Sequence, residues 1–331
     1  MRPWKLLVLI ALLACLPACA QAPARAAGGT ATAALASAEG VPVLAGSATA
    51  TLTPGPSLTP SATPTTGTSV APSLTPRPTR TATPTPCAEP RGTVSLLHVP
   101  SDVLNYPIDA QLYLPPCYAT SGAAYPVLYL IHGLNSTNTQ WVELGMPAAA
   151  DALSAAGAIA PLIIVMPSDR KDERFDPAFV TDLVPYIDAT YRTKDDYRFR
   201  AIGGLSRGGG WSIHLGLRYP QIFGRIGAHS PAVFFGDENH ILAYTRAIAK
   251  TGPVPALYLD IGEDDAQRQS AFWLDQVFTS LNLGHTYLVQ PGGHSEKYWS
   301  AHLEDYLRFY AADWRPGLET PTPTDTTPGL E

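Results

Sequence analysis

The residue best suited to chemistry is Ser206, in the stretch Gly204-Leu-Ser-Arg-Gly208. The preceding Arg198–Ile202 is predicted to be a short strand and the following Trp211–Tyr219 a helix, so Gly-x-Ser-x-Gly falls at a strand-to-helix turn. Such a turn strains the serine and exposes its hydroxyl, and a Cβ on either flanking glycine would collide with the neighbouring segment. We therefore predict that Ser206 is a nucleophile.

A serine hydroxyl is a weak nucleophile until a base takes its proton, so a histidine must approach Ser206. His294 is the predicted base, because it lies in a Gly-rich loop between the last predicted strand and the last predicted helix. The base needs a carboxylate to accept its Nδ1 proton, expected between serine and histidine in chain order. Asp265 is the predicted acid and Asp264 the reserve, whereas Asp260 is expected to lie within a strand.

Two backbone N–H groups are expected to stabilise the oxyanion that forms when a serine attacks an ester. One is the N–H after the nucleophile, that of Arg207, at the start of the predicted helix. The other belongs to the loop after strand Val127–Ile131, where the sequence His132-Gly-Leu134 points to the N–H of Leu134. His132 itself is predicted to be structural or a wall of the pocket, because the base is already supplied.

The elements that would position these residues alternate between strands and helices. Thr93–Val99 and Ile108–Leu114 are close in sequence and predicted to be antiparallel neighbours. Further strands are predicted at Val127–Ile131, Leu162–Met166, Phe223–Ala228, Ala256–Ile261 and Thr286–Val289, and helices at Pro147–Ala156, Pro177–Tyr191, Asn239–Lys250, Ala266–Leu281 and Glu296–Ala311. Repeated β-α units imply an α/β fold with a mostly parallel central sheet, helices on both faces, and chemistry at the carboxyl ends of the strands.

Several short segments together carry a family resemblance. In chain order they are Tyr129-Leu-Ile-His-Gly133, Met166-Pro167, Asp182-Leu-Val-Pro-Tyr-Ile-Asp188 with Tyr191-Arg192, Gly204-Leu-Ser-Arg-Gly-Gly209, Ala228-His-Ser230, Gly262-x-x-Asp265 and Gly293-His294-Ser295. The set resembles the esterase D, feruloyl esterase and antigen 85 group of α/β-hydrolases across the whole folded unit. The resemblance implies Ser206, Asp265 and His294 as nucleophile, acid and base. Some relatives use glutamate as the acid, which keeps Glu263 open, and Arg207 stands where many members have methionine.

Aromatic and histidine side chains near the same sheet edge are candidates for lining a substrate pocket, although at least half are expected to be ordinary packing residues. They are Trp141, Phe175, His229, Phe234, Phe235, Tyr298 and Trp299. The charged run Asp169–Arg174 is interpreted as a solvated loop or a mobile rim. A net charge of −6 with no Lys/Arg run argues against nucleic acid as a partner. No phosphate loop or metal-ligand motif is found, so no cofactor is expected.

The 331-residue chain contains 33 prolines, unevenly placed, and they separate one folded unit from its flanks. Residues 1–20 resemble an export signal that ends in the lipobox-like Leu16-Pro-Ala-Cys19, with an earlier match ending at Cys15. An ordinary secretory signal is the alternative. Residues 21–86 form an Ala/Thr/Ser/Pro-rich linker and residues 317–331 a Thr/Pro-rich tail, both predicted to be disordered, around an esterase domain at 87–316.

Two further cysteines, Cys87 and Cys117, would be the pair left in an exported mature domain. An exported pair favours a disulfide, which would tie the start of the folded unit to the turn after its second strand. Two free buried thiols are the alternative.

Three functions are compatible with these residues. The favoured one is an extracytoplasmic serine carboxylesterase working through an acyl-enzyme, with small-molecule or polysaccharide esters as substrates; the resemblance implies feruloyl or acetyl esters. The second is an acyltransferase of antigen 85 type that moves an acyl group to a sugar or lipid alcohol. The third is a non-catalytic binding module on the same fold. Contact with a membrane is expected only through a lipid on Cys19.

Overall fold

The computed structural model describes Cys87, residues 89–234 and residues 236–314. The predicted export signal at 1–20 with Cys15 and Cys19, the linker at 21–86 and the tail at 317–331 lie outside the described residues, as does Phe235. The predicted esterase domain at 87–316 is therefore described almost throughout.

The centre of the domain is an eight-stranded sheet. Its strands are β1 (Thr93–Val99), β2 (Ile108–Leu114), β3 (Val127–Ile131), β4 (Ile163–Pro167), β5 (Arg200–Leu205), β6 (Arg225–His229), β7 (Ala256–Gly262) and β8 (His285–Gln290). They lie side by side in the order β1-β2-β4-β3-β5-β6-β7-β8. The contacts of β2 with β1 and with β4 are antiparallel, and all other strand pairs are parallel. The predicted α/β class with a mostly parallel sheet is confirmed.

Ten α-helices connect the strands within the described ranges. They are α1 (Tyr118–Ser121), α2 (Gln140–Glu143), α3 (Met146–Ala155), α4 (Phe175–Ala178), α5 (Val184–Thr190), α6 (Arg207–Arg218), α7 (Glu238–Thr251), α8 (Arg268–Ser280), α9 (Glu296–Ala301) and α10 (Leu303–Tyr310). A π-helical segment at Phe179–Leu183 joins α4 to α5, and a 3₁₀ turn at Tyr197–Phe199 precedes β5. None of the described helices is long and apolar enough to cross a membrane.

Helices cover both faces of the sheet because successive strand residues point to opposite sides. In β3, Tyr129 and Ile131 belong to a core shared with α4 to α8, whereas Leu128 and Leu130 face a second core built with α2, α3, α9 and α10. All four side chains are fully buried, and each of the three aliphatic ones contributes about 1.5–3 kcal/mol of transfer free energy. The sequences of the parallel strands are therefore continuously apolar, because both faces of these strands are buried.

Two predicted helices are divided in the structure, for physical reasons. The helix predicted at Pro177–Tyr191 changes pitch before Pro185, which has no N–H to bond the carbonyl of Thr181. The helix predicted at Glu296–Ala311 is broken at His302. Tyr298 and Tyr306 would lie about 12 Å apart along one straight helix, yet both hydroxyls donate to Asp260, at 2.8 Å each.

The segment around the predicted nucleophile also differs from the expectation. β5 extends to Leu205, and α6 begins at Arg207 rather than at Trp211. Three consecutive glycines, Gly208–Gly210, therefore lie in the first turn of a helix in spite of their low helix propensity. Close packing explains their presence, since a Cβ at any of the three would come within about 3 Å of neighbouring backbone.

A disulfide joins Cys87 and Cys117, with the two Cα atoms 5.7 Å apart. It connects the residues before β1 to the turn after β2, which is the pairing that the sequence favoured.

Candidate active site

Ser206 lies between the end of β5 and the first residue of α6 in a strained backbone conformation. Its φ is 54° and its ψ is −118°, values that L-residues rarely adopt. A Cβ on Gly204 would lie 2.8 Å from the carbonyl oxygen of Ile131 and would overlap the backbone of Gly208. A Cβ on Gly208 would lie 2.7 Å from the oxygen of His132. The close approach predicted for both glycines is confirmed, and it holds the serine out at the tip of the turn.

A continuous chain of hydrogen bonds runs from Ser206 through His294 to Asp265. The Oγ of Ser206 is 2.9 Å from Nε2 of His294, and Nδ1 of the histidine is 3.0 Å from both carboxylate oxygens of Asp265. Because a carboxylate only accepts, the neutral ring carries its proton on Nδ1, and Nε2 is free to accept the serine proton. The histidine side chain is 30% exposed, whereas that of Asp265 is fully buried. This arrangement can transfer a proton away from the hydroxyl.

Of the three consecutive acids after β7, Asp265 is the one that reaches the histidine. Glu263 and Asp264 are exposed, and their backbone N–H groups bond to the segment that precedes His294. Burial raises the pKa of Asp265, but hydrogen bonds from His294, from the backbone N–H of Gln267 and from Ser230, together with the charge of His294, outweigh it and lower that pKa. The carboxylate therefore stays ionised around neutral pH.

Both predicted oxyanion donors belong to segments that flank Ser206. Arg207 is the first residue of α6, and the first N–H groups of a helix have no partner inside it. The loop after β3 approaches from the other side, so that a Cβ on Gly133 would lie 3.7 Å from Cβ of Ser206. The N–H of Gly133 donates to Oε1 of Gln140 at 2.8 Å, which anchors the loop. The N–H of Leu134 follows immediately in that loop.

Ser230 contacts the acid Asp265, and Trp299 contacts the base His294. Ser230 follows β6, is fully buried and has a φ of 48°. Its hydroxyl bonds to Asp265 and accepts the indole N–H of Trp299 at 3.1 Å. The indole ring in turn lies edge-on to the His294 ring, with centroids 5.0 Å apart. The sequence analysis assigned no role to Ser230, although it lies in one of the segments that carried the resemblance.

The interpretation of Asp169–Arg174 as a solvated loop is wrong for its first residue. Asp169 is 1% exposed, and its Oδ2 accepts hydrogen bonds from Nε of Arg207 at 2.7 Å and from the indole N–H of Trp211 at 2.9 Å. The cause is the neighbouring cation and indole, which satisfy the carboxylate inside the protein. The rest of the run is partly or fully exposed.

Most of the candidate pocket residues pack in the interior. Five of them are almost completely buried: Trp141, Phe175, His229, Tyr298 and Trp299. The Trp141 indole donates to the oxygen of Ile131. Phe234 does lie near the site, with its ring 5.3 Å from the Arg207 guanidinium. It also lines a cavity of about 370 Å³ together with Trp211 and His214. Phe235 lies outside the described residues.

Comparisons with known proteins identify a matching family and several relatives. The putative esterase family matches residues 101–310. A bifunctional endo-1,4-beta-xylanase/feruloyl esterase of Xylanibacter ruminicola is 35% identical over 146 residues, which is 39% of this chain and 20% of that protein. An esterase of Mycobacterium tuberculosis is 30% identical over 133 residues, 36% of this chain and 28% of that protein. The chain thus matches less than a third of the length of either relative.

Solved structures show the same fold. A ferulic acid esterase superimposes with a TM-score of 0.61 at 27% identity, covering 67% of this chain and 98% of that one. The S-formylglutathione hydrolase of Staphylococcus aureus superimposes with a TM-score of 0.57 at 17% identity, covering 66% of this chain and 96% of that one. With the match over residues 101–310, these findings show that the chain belongs to the putative esterase family and has the α/β-hydrolase fold.

Proposed function

We propose that this protein is a serine carboxylesterase that cleaves its substrate through an acyl-enzyme intermediate. The observation that carries the proposal is the hydrogen-bonded chain from Ser206 through His294 to Asp265 at the amino end of α6. A nucleophile, a base on the nucleophile and an acid on the base are the three groups that acyl transfer to a serine requires.

The mechanism begins when the Ser206 hydroxyl attacks the ester carbonyl carbon and gives its proton to Nε2 of His294. The imidazolium that forms is stabilised by the ionised Asp265 at Nδ1. The negative oxygen of the tetrahedral intermediate accepts hydrogen bonds from the N–H groups of Arg207 and Leu134, and one such donor contributes about 10²–10³ in rate. Collapse expels the alcohol, which takes the proton from His294, and leaves the acyl group on Ser206.

In the second half of the reaction, water replaces the alcohol. His294 takes a proton from the water as the water attacks the acyl-serine, and the same two N–H groups stabilise the second oxyanion. Release of the carboxylic acid returns the proton to Ser206. No cofactor enters either half of the cycle.

We propose small-molecule or polysaccharide esters as substrates, with feruloyl and acetyl esters as the first to test. Relatives named as feruloyl or ferulic acid esterases support this choice. The proposed site of action is outside the cytoplasm. The Cys87–Cys117 disulfide supports it, since such bonds persist in oxidising compartments. The signal-like residues 1–20 support it too, and we propose that Cys19 carries a lipid and that residues 21–86 are a tether.

The test is a hydrolysis panel of aryl acetates, aryl butyrates and feruloyl esters on the full-length protein and three variants. Ser206→Ala is expected to lower kcat on the order of 10⁶-fold, and Asp265→Asn about 10⁴-fold. Ser95→Ala, an exposed serine on β1, is the matched control and should retain wild-type activity. A fluorophosphonate probe should label the wild type and Ser95→Ala but not Ser206→Ala. Equal turnover by wild type and Ser206→Ala would refute the proposal.

The same panel separates hydrolysis from acyl transfer. With a sugar or glycerol alcohol added, a hydrolase continues to release mainly free acid. A predominant yield of new ester would identify an acyltransferase instead.

A further inference from the structure

Asp169 is a buried carboxylate that takes no part in the proposed reaction, yet it contacts both sides of the nucleophile. Its side chain is fully buried in the loop after β4. Oδ2 bonds to Arg207 and Trp211, and Oδ1 accepts from the backbone N–H of Lys171 at 3.2 Å. The backbone N–H of Asp169 donates to Nε2 of His132. Arg207 and Trp211 belong to α6 and His132 to the loop after β3, the two segments that carry the proposed oxyanion donors.

The contacts on the α6 side restrain the first helical turn. Nε of Arg207 donates to Oδ2 of Asp169 at 2.7 Å, and Nε1 of Trp211 donates to the same oxygen at 2.9 Å. Arg207 and Trp211 are one turn apart, so one oxygen ties both to the neighbouring loop. Bonds between an ionised acceptor and these donors are about twice as strong as neutral ones. The N–H of Arg207 is thereby held in place relative to the loop after β4.

The contacts on the β3 side pass through the ring of His132. Its Nδ1 is 2.7 Å from the carbonyl oxygen of Gly133, which can only accept, so Nδ1 carries the proton. Its Nε2 is then the acceptor for the backbone N–H of Asp169, at 3.4 Å. The Gly133 carbonyl and the Leu134 N–H belong to one planar peptide group. Fixing that carbonyl therefore fixes the direction in which the Leu134 N–H points.

We propose that Asp169 is a positioning residue that links the two oxyanion donors, acting on Arg207 through its carboxylate and on Leu134 through the ring of His132. The two donors follow neighbouring parallel strands, β5 and β3, and Asp169 adds a link between them beyond the point where the strand pairing ends. Donors in an oxyanion hole must lie within hydrogen-bond distance of one atom, and a displacement of about 1 Å costs about 10²-fold in rate. The role rests on the proposed function.

The decisive variant is Asp169→Asn, which keeps the size of the side chain but removes the charge and one acceptor oxygen. It is expected to lower kcat for para-nitrophenyl acetate by about 10- to 100-fold, with KM changed by less than about 3-fold. The Ki of a phenethyl trifluoromethyl ketone, whose adduct with Ser206 carries the oxyanion, should rise by the same factor as kcat/KM falls. A purely structural defect would not couple those two quantities.

Asp172→Asn is the matched control. Asp172 lies in the same loop, and its side chain also bonds to an arginine and an aromatic residue, Arg174 and Tyr106. Its backbone N–H bonds to the carbonyl oxygen of Asp169, a contact that the substitution leaves in place. Asp172→Asn should leave kcat and Ki at wild-type values. Unchanged kcat in Asp169→Asn, or a fall in kcat without weaker binding of the ketone, would overturn the positioning role.

A pair of substitutions at His132 keeps the question open to test if Asp169→Asn does not fold. Both His132→Asn and His132→Leu remove the Nε2 acceptor of the Asp169 N–H, but the amide nitrogen of His132→Asn can still donate to Gly133 in place of Nδ1. We expect both variants to lose at least about 10-fold in kcat at equal KM, because both lose the link to Asp169. Wild-type kcat in His132→Asn would overturn the role. Activity that survives in Ser206→Ala would instead refute the proposed function itself, and this role with it.

Discussion

The contact between α6 and the end of β3 yields a quantitative prediction for Gly208→Ala. In the wild type, a Cβ at this position would lie 2.5 Å from the carbonyl carbon of Ile131 and 2.7 Å from the oxygen of His132. Carbon atoms in contact are about 3.5–4.0 Å apart, so helix and strand must separate by about 1 Å. Replacing glycine by alanine inside a helix gains about 1 kcal/mol, while overpacking costs about 1–3 kcal/mol. The net loss of stability is therefore up to about 2 kcal/mol.

The loss of catalytic efficiency should exceed this loss of stability. A separation of about 1 Å moves the Arg207 N–H away from the loop that carries Leu134, and a misplacement of that size lowers kcat/KM by about 10²-fold. The assay is ester hydrolysis together with thermal unfolding. Gly284→Ala is the control, because Gly284 has a negative φ and no atom within 4 Å of its Cβ position. Wild-type kcat/KM in Gly208→Ala would refute the reasoning, since helix and strand could then not be in contact there.

Two further predictions concern stability. Burial lowers the pKa of His214, but hydrogen bonds and the charges of Asp176 and Asp237 outweigh it and raise that pKa to about 9. The charged histidine therefore stabilises the folded protein. This stabilisation is complete below the unfolded pKa of about 6.5 and is lost as the pH rises to about 9. Urea unfolding should therefore show a larger deficit for His214→Gln at pH 6 than at pH 10, and equal deficits would contradict the assignment. The two cysteines of the disulfide are 30 positions apart in the chain. Removing the disulfide by Cys87→Ser with Cys117→Ser should lower the free energy of unfolding by about 3–4 kcal/mol. A loss below about 1 kcal/mol would argue against a stabilising disulfide.

The sequence was most informative where a local pattern and a physical requirement coincide. Gly204 and Gly208 predicted a close strand-helix contact, and the structure has it, because no other residue fits between the two backbones. The order of strands then explains why Ser206, Asp265 and His294 meet: they follow β5, β7 and β8, whose carboxyl ends lie at one edge of the sheet. The fold class and the positions of most strands followed from the same alternation of apolar runs.

Asp169 could not be predicted, because its burial depends on partners far away in sequence. Read locally, it opens the charged run that ends at Arg174, and such runs are usually solvated. Its buried state is set by Arg207 and Trp211, which reach it only after α6 has packed against the sheet. The position of Arg207 directly after Ser206 was visible in the sequence. Its side-chain partner was not.

The structure contains a second histidine–aspartate pair, which chain order already disfavours because Asp260 follows His229 instead of preceding it. His229 ends β6 and is directly opposite Asp260 on β7, with Nδ1 2.6 Å from the carboxylate. That pair is fully buried and accepts further hydrogen bonds from tyrosine hydroxyls, those of Tyr306 and Tyr310 among them. Burial and the charge of Asp260 raise the pKa values of both tyrosines. The pair at His294 has the same chemistry but a partly exposed ring. Access to the serine and to solvent, rather than residue type, therefore decides which of the two histidines can act as the base.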